Sequence, residues 1–209
     1  IDEVESLFEA EVLEGYGLTE TSPVCAFRTP EISRKIGSVG RAAGFAKLAI
    51  NSKEGPFEKG VGELLVRGPG LMSGYFALKE EKQSELIDGW FPTGDIARID
   101  ADGDVFILDR KSDVIIRNGY NIYPAEVEEA LMRIDGISEA GVLGISDTTT
   151  GEEVIAFIVR DHVKTDEASV RSALAHLLSK FKHPRDVIFI EKIPRGTKGQ
   201  VLRDELRSA

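Results

Sequence analysis

The chain has 209 residues, of which 42% are apolar and 30% charged, a composition that is ordinary for folded proteins and argues against disorder. The formal net charge of -10 argues against a nucleic-acid-binding surface, because phosphate binding requires clustered Lys and Arg that outweigh nearby acids. The single cysteine, Cys25, excludes an internal disulfide, no Cys/His spacing resembles a metal site, and no apolar run reaches the roughly 18 residues of a membrane-spanning helix.

The beginning of the chain is unlike a secretion signal. It lacks a charged segment followed by an apolar stretch, and it starts with Ile1 rather than Met. Together with the lone cysteine, this start predicts a fragment of a larger cytoplasmic protein.

Short apolar runs separated by glycines fill the first half of the chain and predict strands joined by turns. These runs are AKLAI, GELLVRG, DIARID and DVFILDR, which begin at Ala46, Gly62, Asp95 and Asp104. Asp102-Gly103 lies between the last two runs and predicts a hairpin turn. The segment SGYFALKEEKQSEL, residues 73–86, predicts a solvated helix or loop with a charged face.

The pattern changes at DRKSD, residues 109–113, which predicts a domain boundary. Residues 1–109 are then the β-rich end of a large domain, and residues 110–209 are a small α+β domain.

In the second part, VIIR and YNIY predict a hairpin turned at Asn118-Gly119, and Pro124 opens the helix PAEVEEALMRID. The strands AGVLGIS and EEVIAFIVR, a helix over 166–181 and the strand VIFIEKI follow. The order strand, helix, strand, strand, helix, strand indicates one compact α+β unit.

Both helices are predicted to be amphipathic. The apolar face of the first contains Val127, Leu131 and Ile134, and that of the second contains Val170, Leu174, Leu177, Leu178 and Phe181.

Three familiar site patterns are excluded. The glycines of GPGLMSG miss the dinucleotide-binding spacing, and no G-x-x-x-x-G-K-[ST] loop occurs. DADGD resembles a calcium loop, but Gly103 comes too early and Lys111 stands where a bidentate Glu belongs. His162, His176 and His183 have no nucleophile motif or partner cysteine and are interpreted as surface residues.

Four stretches have a possible chemical role, each with a simpler structural explanation. EGYGLTETSP, residues 14–23, could stack a base, touch phosphate and hold Mg²⁺, or could be a polar turn after a strand. GWFPTGD, residues 89–95, places an Asp after a tight turn, where it could accept hydrogen bonds from vicinal hydroxyls. DRKSDVIIRNGYNIYP, residues 109–124, is a basic cluster and a Gly turn, or a linker and a hairpin. PRGTKGQVLRDEL, residues 194–206, is a loop with a chemical role or a solvated tail.

Taken in this order and joined by GELLVRGPGLMSGYF, the four stretches resemble the adenylate-forming superfamily of acyl-CoA synthetases, peptide-synthetase adenylation domains and luciferases. DGWFPTGD, DRKSDVIIRNGYNIYPAEVEEAL and EGYGLTETSP look most like fatty acyl-CoA synthetases. The resemblance implies that a carboxylic acid, by these motifs a fatty acid, reacts with ATP to give acyl-AMP, and that CoA then displaces AMP. It also implies Mg²⁺ as a cofactor and allows peripheral membrane contact of a full-length protein.

The resemblance assigns roles to particular residues. Gly15 and Tyr16 would bind adenine, Thr19 would contact phosphate, Glu20 would hold Mg²⁺, and Asp95 and Arg110 would bind the ribose hydroxyls. Gly119 and Tyr120 would bind CoA, and Ser112 would be the hinge of the small domain, at a position where the family usually has Asp or Lys.

Two departures from the family pattern are visible. The Ser/Thr/Gly-rich phosphate loop and most of the large domain are missing, so we expect the fragment alone to be inactive. The catalytic lysine position holds Gln200, with Lys198 two residues away as a possible substitute. The alternatives are therefore an adenylation domain that loads a carrier protein, or a nucleotide- or CoA-binding protein that has lost adenylation.

Overall fold

The structure, a computed structural model, describes residues 1–52, 54–75, 86–161, 165–197 and 199–208. It divides into two compact units, Ile1–Lys111 and Ser112–Ala209. Helices and mainly antiparallel sheets occur together, so the predicted α+β class is confirmed. Within the described residues, no helix combines the length and the apolar character needed to span a membrane.

The first unit consists mostly of strands. Helix α1 covers Asp2–Phe8, and strands β1 to β8 cover Gly15–Gly17, Val24–Phe27, Arg41–Ala42, Lys47–Ser52, Gly55–Phe57, Gly60–Arg67, Phe91–Ile99 and Val105–Arg110. In the described part of this unit, β1, β2 and β3 form one sheet, and a second sheet has the order β5-β4-β6-β7-β8. The four predicted strands are confirmed as β4, β6, β7 and β8, whereas α1 and the first sheet were not predicted. Of the predicted helix or loop over 73–86, residues 76–85 lie outside the described residues.

The hairpin that joins β7 to β8 is the one predicted from Asp102-Gly103. The N–H of Gly103 donates to the carbonyl of Asp100, and Gly103 has a φ of 87°, which a residue without a Cβ adopts without strain. The hairpin brings Ala97, Ile99 and Val105 into one buried cluster with Leu64. Tyr16 packs against this cluster.

An ion-pair cluster holds the preceding loop against this hairpin. The Nζ atom of Lys35 lies 2.6, 2.7 and 3.0 Å from carboxylate oxygens of Asp100, Asp102 and Asp104. These three carboxylates are close enough together to suggest a metal site. In the structure the ammonium group of Lys35 supplies a positive charge among them.

The second unit combines helices with one sheet. Strands β9 to β13 cover Ile115–Arg117, Tyr120–Ile122, Ile137–Asp147, Gly151–Arg160 and Asp186–Phe189, and helices α2, α3 and α4 cover Pro124–Met132, Glu167–Leu177 and Arg203–Leu206. The sheet has the order β10-β9-β12-β11, and β13 pairs in parallel with β12. The predicted order of elements and the Asn118-Gly119 hairpin are confirmed, with Arg117 paired to Tyr120 across the two-residue turn.

Strands β11 and β12 are buried on both faces, which explains their nearly continuous apolar sequence. On one face, Val142 and Ala156 pack with Leu131 and Leu174 of the two longer helices. The other face has its own buried cluster, formed by Leu143, Ile155, Phe157, Ile193 and Leu206. Ile193 precedes PRGTKGQVLRDEL and Leu206 ends it, and both are 0% exposed, so this stretch is held in the fold at both ends and is not a frayed tail.

The ends of the predicted helices require correction. Helix α2 stops at Met132 and α3 at Leu177, both earlier than predicted. Val170 and Leu174 are buried as expected, but Leu177 and Phe181 are 41% and 38% exposed and lie outside the apolar face. The last strand likewise ends at Phe189.

The histidine prediction is correct for one residue and wrong for another. His176 is exposed, whereas His183 is half-buried, with its Nε2 atom 3.0 Å from the carbonyl oxygen of Leu178. His162 lies outside the described residues.

Replacing Lys35 with Met should lower the thermal midpoint of unfolding at pH 7 by several degrees, because Asp100 and Asp102 then lose the ammonium group that they share, while Arg41 stays beside Asp104. The lysine holds the pKa of Asp100 at about 2, below its ordinary value of 3.8, so its contribution is present above pH 3.8 and is lost as the pH falls toward 2. Differential scanning calorimetry should therefore show that the difference between wild type and variant shrinks over this range. Lys47→Met, at an exposed position of β4, is the matched control, and an equal loss in both variants would contradict the ion-pair explanation.

Candidate functional site

Three of the predicted nucleotide-binding residues meet at one end of the first unit. The hydroxyl of Tyr16 donates to Asp95 Oδ2, and Arg110 Nε lies 2.9 Å from Asp95 Oδ1. Asp95 is 5% exposed, whereas the side chain of Arg110 is 58% exposed. A buried carboxylate is therefore held between a phenol and a guanidinium group that reaches the surface.

Local strand geometry sets this arrangement. Asp95 pairs with Arg110 across β7 and β8, so the two residues are directly opposite each other. The hydroxyl of Thr93 accepts a hydrogen bond from the Asp95 N–H at 3.1 Å and donates to the Leu64 carbonyl at 2.9 Å. Gly94, between them, has a φ of 73°, a conformation that favours glycine. The tight turn expected just before Asp95 is further back, at Asp88-Gly89, and Asp95 itself lies within β7.

The surroundings also perturb the phenol. Burial, followed by the hydrogen bond to Asp95 and the charge of that carboxylate, raises the pKa of Tyr16 well above its ordinary value. Tyr16 thus remains a hydrogen-bond donor to Asp95 throughout the physiological range.

Glycines on β1 allow the close approach of the neighbouring chain. A Cβ added to Gly17 would lie 1.5 Å from the Pro23 carbonyl oxygen, and one added to Gly15 would lie 2.7 Å from Phe27 Cδ2. The glycines beside Tyr16 therefore have a packing role in addition to any role in nucleotide binding.

Thr19 and Glu20 lie in a 3-10 turn, Thr19–Thr21, that follows β1. The buried Thr21 closes this turn, since its hydroxyl donates to the Leu18 carbonyl at 3.0 Å. Glu20 Oε1 accepts a hydrogen bond of 2.8 Å from the hydroxyl of Tyr75, and the Glu20 carbonyl accepts one of 2.9 Å from the Met72 N–H. Tyr75 belongs to the joining motif GELLVRGPGLMSGYF, and its contact with Glu20 depends on tertiary structure.

These side chains suit a nucleotide and Mg²⁺. Asp95 Oδ2 accepts a hydrogen bond from Tyr16, and Asp95 Oδ1 lies 2.9 Å from Arg110 Nε. A carboxylate oxygen can accept about two hydrogen bonds, so capacity for ribose hydroxyls remains. Glu20 is half-buried and offers the oxygen ligand that Mg²⁺ prefers.

In the second unit, the predicted CoA-binding residues form an exposed turn. Asn118 and Gly119 have φ values of 50° and 79°, and a Cβ on Gly119 would meet no atom within 4 Å. Tyr120 is 58% exposed, and its ring centroid lies 4.9 Å from that of Phe181. Phe181, which sequence periodicity assigned to the core, is instead part of this exposed aromatic pair.

Gln200 is fixed in a short hairpin. Arg195 pairs with Val201, and the Gly196 N–H donates to the Gln200 carbonyl at 2.9 Å. The Gln200 side chain covers Gly196 so closely that a Cβ there would lie 2.3 Å from Gln200 Nε2. Lys198, the possible substitute, lies outside the described residues.

The structure therefore joins Tyr16, Asp95 and Arg110 by direct contacts. Thr19 and Glu20 belong to the same unit but contact a different segment. Ser112 is exposed in a 3-10 turn, Lys111–Asp113, at the point where the second unit begins.

Family models match both parts of the chain. The model described as AMP-binding enzyme matches residues 1–76, and the model described as AMP-binding enzyme C-terminal domain matches residues 126–200.

Individual relatives agree with these matches. The chain is 39% identical to a 2-succinylbenzoate–CoA ligase of Geobacillus kaustophilus, over 94% of this chain and 41% of that protein. It is 38% identical to the long-chain-fatty-acid–CoA ligase FadD13 of Mycobacterium tuberculosis, over 94% of this chain and 40% of that protein. The solved o-succinylbenzoate CoA synthetase MenE of Bacillus subtilis, in complex with the acyl-adenylate intermediate OSB-AMP, is 33% identical with a TM-score of 0.86, over 99% of this chain and 43% of that chain. The chain thus spans about two fifths of the length of these relatives.

Replacing Asp95 with Asn should lower the pKa of Tyr16, because the charge and the strong acceptor that favour the protonated phenol are removed. The pKa should still exceed the ordinary value, since burial is the largest cause of the shift. NMR of tyrosine labelled at Cζ would follow the titration, with the 58% exposed Tyr120 as an internal control. An unchanged Tyr16 titration in the variant would show that Asp95 does not perturb this group.

Proposed function

Because this chain belongs to the adenylate-forming superfamily of AMP-binding enzymes, we propose that it is the C-terminal part of an ATP-dependent acyl-CoA ligase. The reaction has two steps. A carboxylate oxygen attacks the α-phosphorus of ATP and pyrophosphate leaves, and then the thiol of CoA, losing its proton, attacks the acyl carbon and AMP leaves.

The contact of Asp95 with Tyr16 and Arg110 is the observation that best supports this proposal. A buried carboxylate with remaining acceptor capacity is suited to bind the two ribose hydroxyls of AMP or ATP. Arg110 orients that carboxylate from the surface side, and Tyr16, held by its hydroxyl, offers an aromatic ring for adenine. Gly15, the neighbour of Tyr16 in the chain, is proposed to lie beside adenine.

The remaining predicted residues receive roles that stay proposals. Thr19 binds phosphate, and Glu20, oriented by Tyr75, holds Mg²⁺. When bound, Mg²⁺ neutralises negative charge on the departing pyrophosphate. Gly119 and Tyr120 contact CoA, and the second unit, residues 110–209 in the sequence-based division, turns about Ser112 between the two steps. A cytoplasmic location and peripheral membrane contact of the full-length protein also remain predictions.

The acid is proposed to be a fatty acid. The motifs DGWFPTGD and DRKSDVIIRNGYNIYP favour this class, and the relative FadD13 bears a fatty-acid name. Other relatives of similar identity are named for 2-succinylbenzoate, so the two acids must be compared directly.

A different function is favoured by one residue. Gln200 stands where the adenylate-forming superfamily usually has a lysine. An amide can donate a hydrogen bond but supplies no positive charge. This substitution supports a nucleotide- or CoA-binding protein without adenylation activity as the second candidate. Loading of a carrier protein is the alternative within the superfamily.

We expect the full-length protein to catalyse exchange of labelled pyrophosphate into ATP that depends on an added carboxylic acid. Glu20→Gln should lower this exchange by about two orders of magnitude, because the proposed Mg²⁺ ligand loses its charge. Glu31→Gln, at an exposed position, is the control. Palmitate and 2-succinylbenzoate should be compared as acids, and CoA should be compared with a carrier protein as acceptor. Absence of exchange with every acid, together with measurable AMP or CoA binding, would support the non-catalytic alternative.

Gln200→Lys should raise the rate of acyl-adenylate formation by about ten- to a hundredfold, since a positive charge is restored near developing negative charge. The unbranched lysine can follow the path of the glutamine side chain over Gly196. Gln200→Met keeps the side-chain length without charge or hydrogen bonding and should not raise the rate. A rate that is equal in the Lys and Met variants would contradict an electrostatic role for this position.

The same assay addresses Lys198. If its ammonium group replaces the missing charge, Lys198→Ala should reduce pyrophosphate exchange in the otherwise native protein. Full exchange activity in Lys198→Ala would exclude that role.

A further inference from the structure

We propose that Glu63 and Arg203 are positioning residues that tie the two neighbours of Ser112 to opposite units and so confine the pivot to Ser112. This inference rests on the proposed function, in which the second unit changes orientation between the two steps. The observations are two ion-pair clusters, one on each side of the point where the chain passes from the first unit to the second.

The residue before Ser112 is tied to the first unit. Lys111 Nζ lies 2.9 Å from Glu63 Oε2, and the side chain of Glu63 is 9% exposed. Asn51 Nδ2 donates to the same oxygen at 3.1 Å, which restrains the carboxylate from the neighbouring strand. Glu63 lies on β6, which is flanked by β4 and β7, so the anchor belongs to the interior of a sheet.

The residue after Ser112 is tied to the second unit. Arg203 Nη1 lies 2.8 Å from Asp113 Oδ2, and Arg203 Nη2 lies 3.0 Å from Glu128 Oε1. The Nε–H of Arg203 donates to the Val142 carbonyl at 2.9 Å, and the Val142 N–H donates to Glu128 Oε1 at 2.9 Å. One guanidinium group, with its side chain 16% exposed, thus links the start of the unit to α2, β11 and α4.

Ser112 lies between these two anchors. It is exposed, and its hydroxyl donates to Asp113 Oδ1 at 2.9 Å, a contact with its own neighbour. Because peptide bonds are planar, reorientation at this point requires changes of φ and ψ. Because Lys111 and Asp113 are restrained, such changes meet the least resistance at the φ and ψ angles of Ser112. The backbone here is a three-residue 3-10 turn, Lys111–Asp113, a form that is common in connections between elements.

The two anchors differ in expected strength. The Lys111 side chain is 60% exposed and makes a single ion pair, and exposed pairs contribute little. Arg203 makes three contacts in a fixed planar geometry with partly buried acceptors. We therefore expect loss of Arg203 to have the larger effect.

The experiment measures the distance between spin labels on the two units of the full-length protein. Labels are placed at Ala101→Cys and Ser172→Cys, both exposed positions, after other exposed cysteines have been replaced by Ser. Arg203→Met should broaden the distance distribution measured by pulsed electron paramagnetic resonance, Glu63→Gln should broaden it less, and the double variant should broaden it most. Arg133→Met is the control, since Arg133, which directly follows α2, forms an exposed pair with Glu129 of the same unit.

A second readout separates positioning from general damage. Acyl-adenylate formation and thioester formation from supplied acyl-adenylate should each fall by roughly tenfold in the double variant, since misplacement by about 1 Å can cost 10²-fold. Affinity for AMP should remain at the wild-type value, because Tyr16, Asp95 and Arg110 are not altered. If the double variant keeps the wild-type distance distribution while both units melt at wild-type temperatures, the inference is wrong.

The failure of this inference can be distinguished from failure of the proposed function. The distance measurement needs no turnover, so it decides the role of Glu63 and Arg203 even if no carboxylic acid supports pyrophosphate exchange. An active enzyme whose double variant retains both the wild-type distance distribution and both wild-type rates would overturn this inference and leave the ligase function intact.

Discussion

The first unit is organised around the buried carboxylate of Asp95. A charge removed from water is costly unless it is paired and hydrogen-bonded, and here a phenol, a guanidinium group and a hydroxyl-supported strand provide those contacts. Tyr16 comes from β1, Arg110 from β8 and Thr93 from β7. Satisfying one carboxylate therefore joins β1 to the distant hairpin formed by β7 and β8, and it leaves acceptor capacity for the proposed nucleotide.

The second unit depends on a different constraint, a pair of strands buried on both faces. Once helices α2 and α3 cover one face of β11 and β12, the other face still has to be protected from water. Ile193 and Leu206 provide that protection, and in doing so they fix both ends of the loop that contains Gln200. The position of a residue with a proposed chemical role thus follows from ordinary apolar burial.

The charged residues near the junction of the two units show how structural and functional requirements coincide. DRKSD has the composition of a simple polar linker, yet Arg110, Lys111 and Asp113 each contact a specific partner. Arg110 and Lys111 bind acids of the first unit, and Asp113 binds an arginine of the second. A linker built in this way would move at one place, which is what a reaction with two successive geometries needs.

Much of the fold and the set of candidate site residues could be predicted from sequence alone. Local signals were enough to predict most strands and the two longer helices, because apolar periodicity and Asp-Gly and Asn-Gly turns act within a few residues. The ordered motifs were enough to indicate the family and the candidate nucleotide-binding residues. Tertiary structure alone decided which residues touch. It placed Phe181 beside Tyr120 instead of in the core, put Lys35 among three aspartates, joined Tyr75 to Glu20 and linked Arg203 to Asp113. These contacts join residues that are between 55 and 90 positions apart, and no local pattern encodes such pairings, because they depend on how separate elements pack.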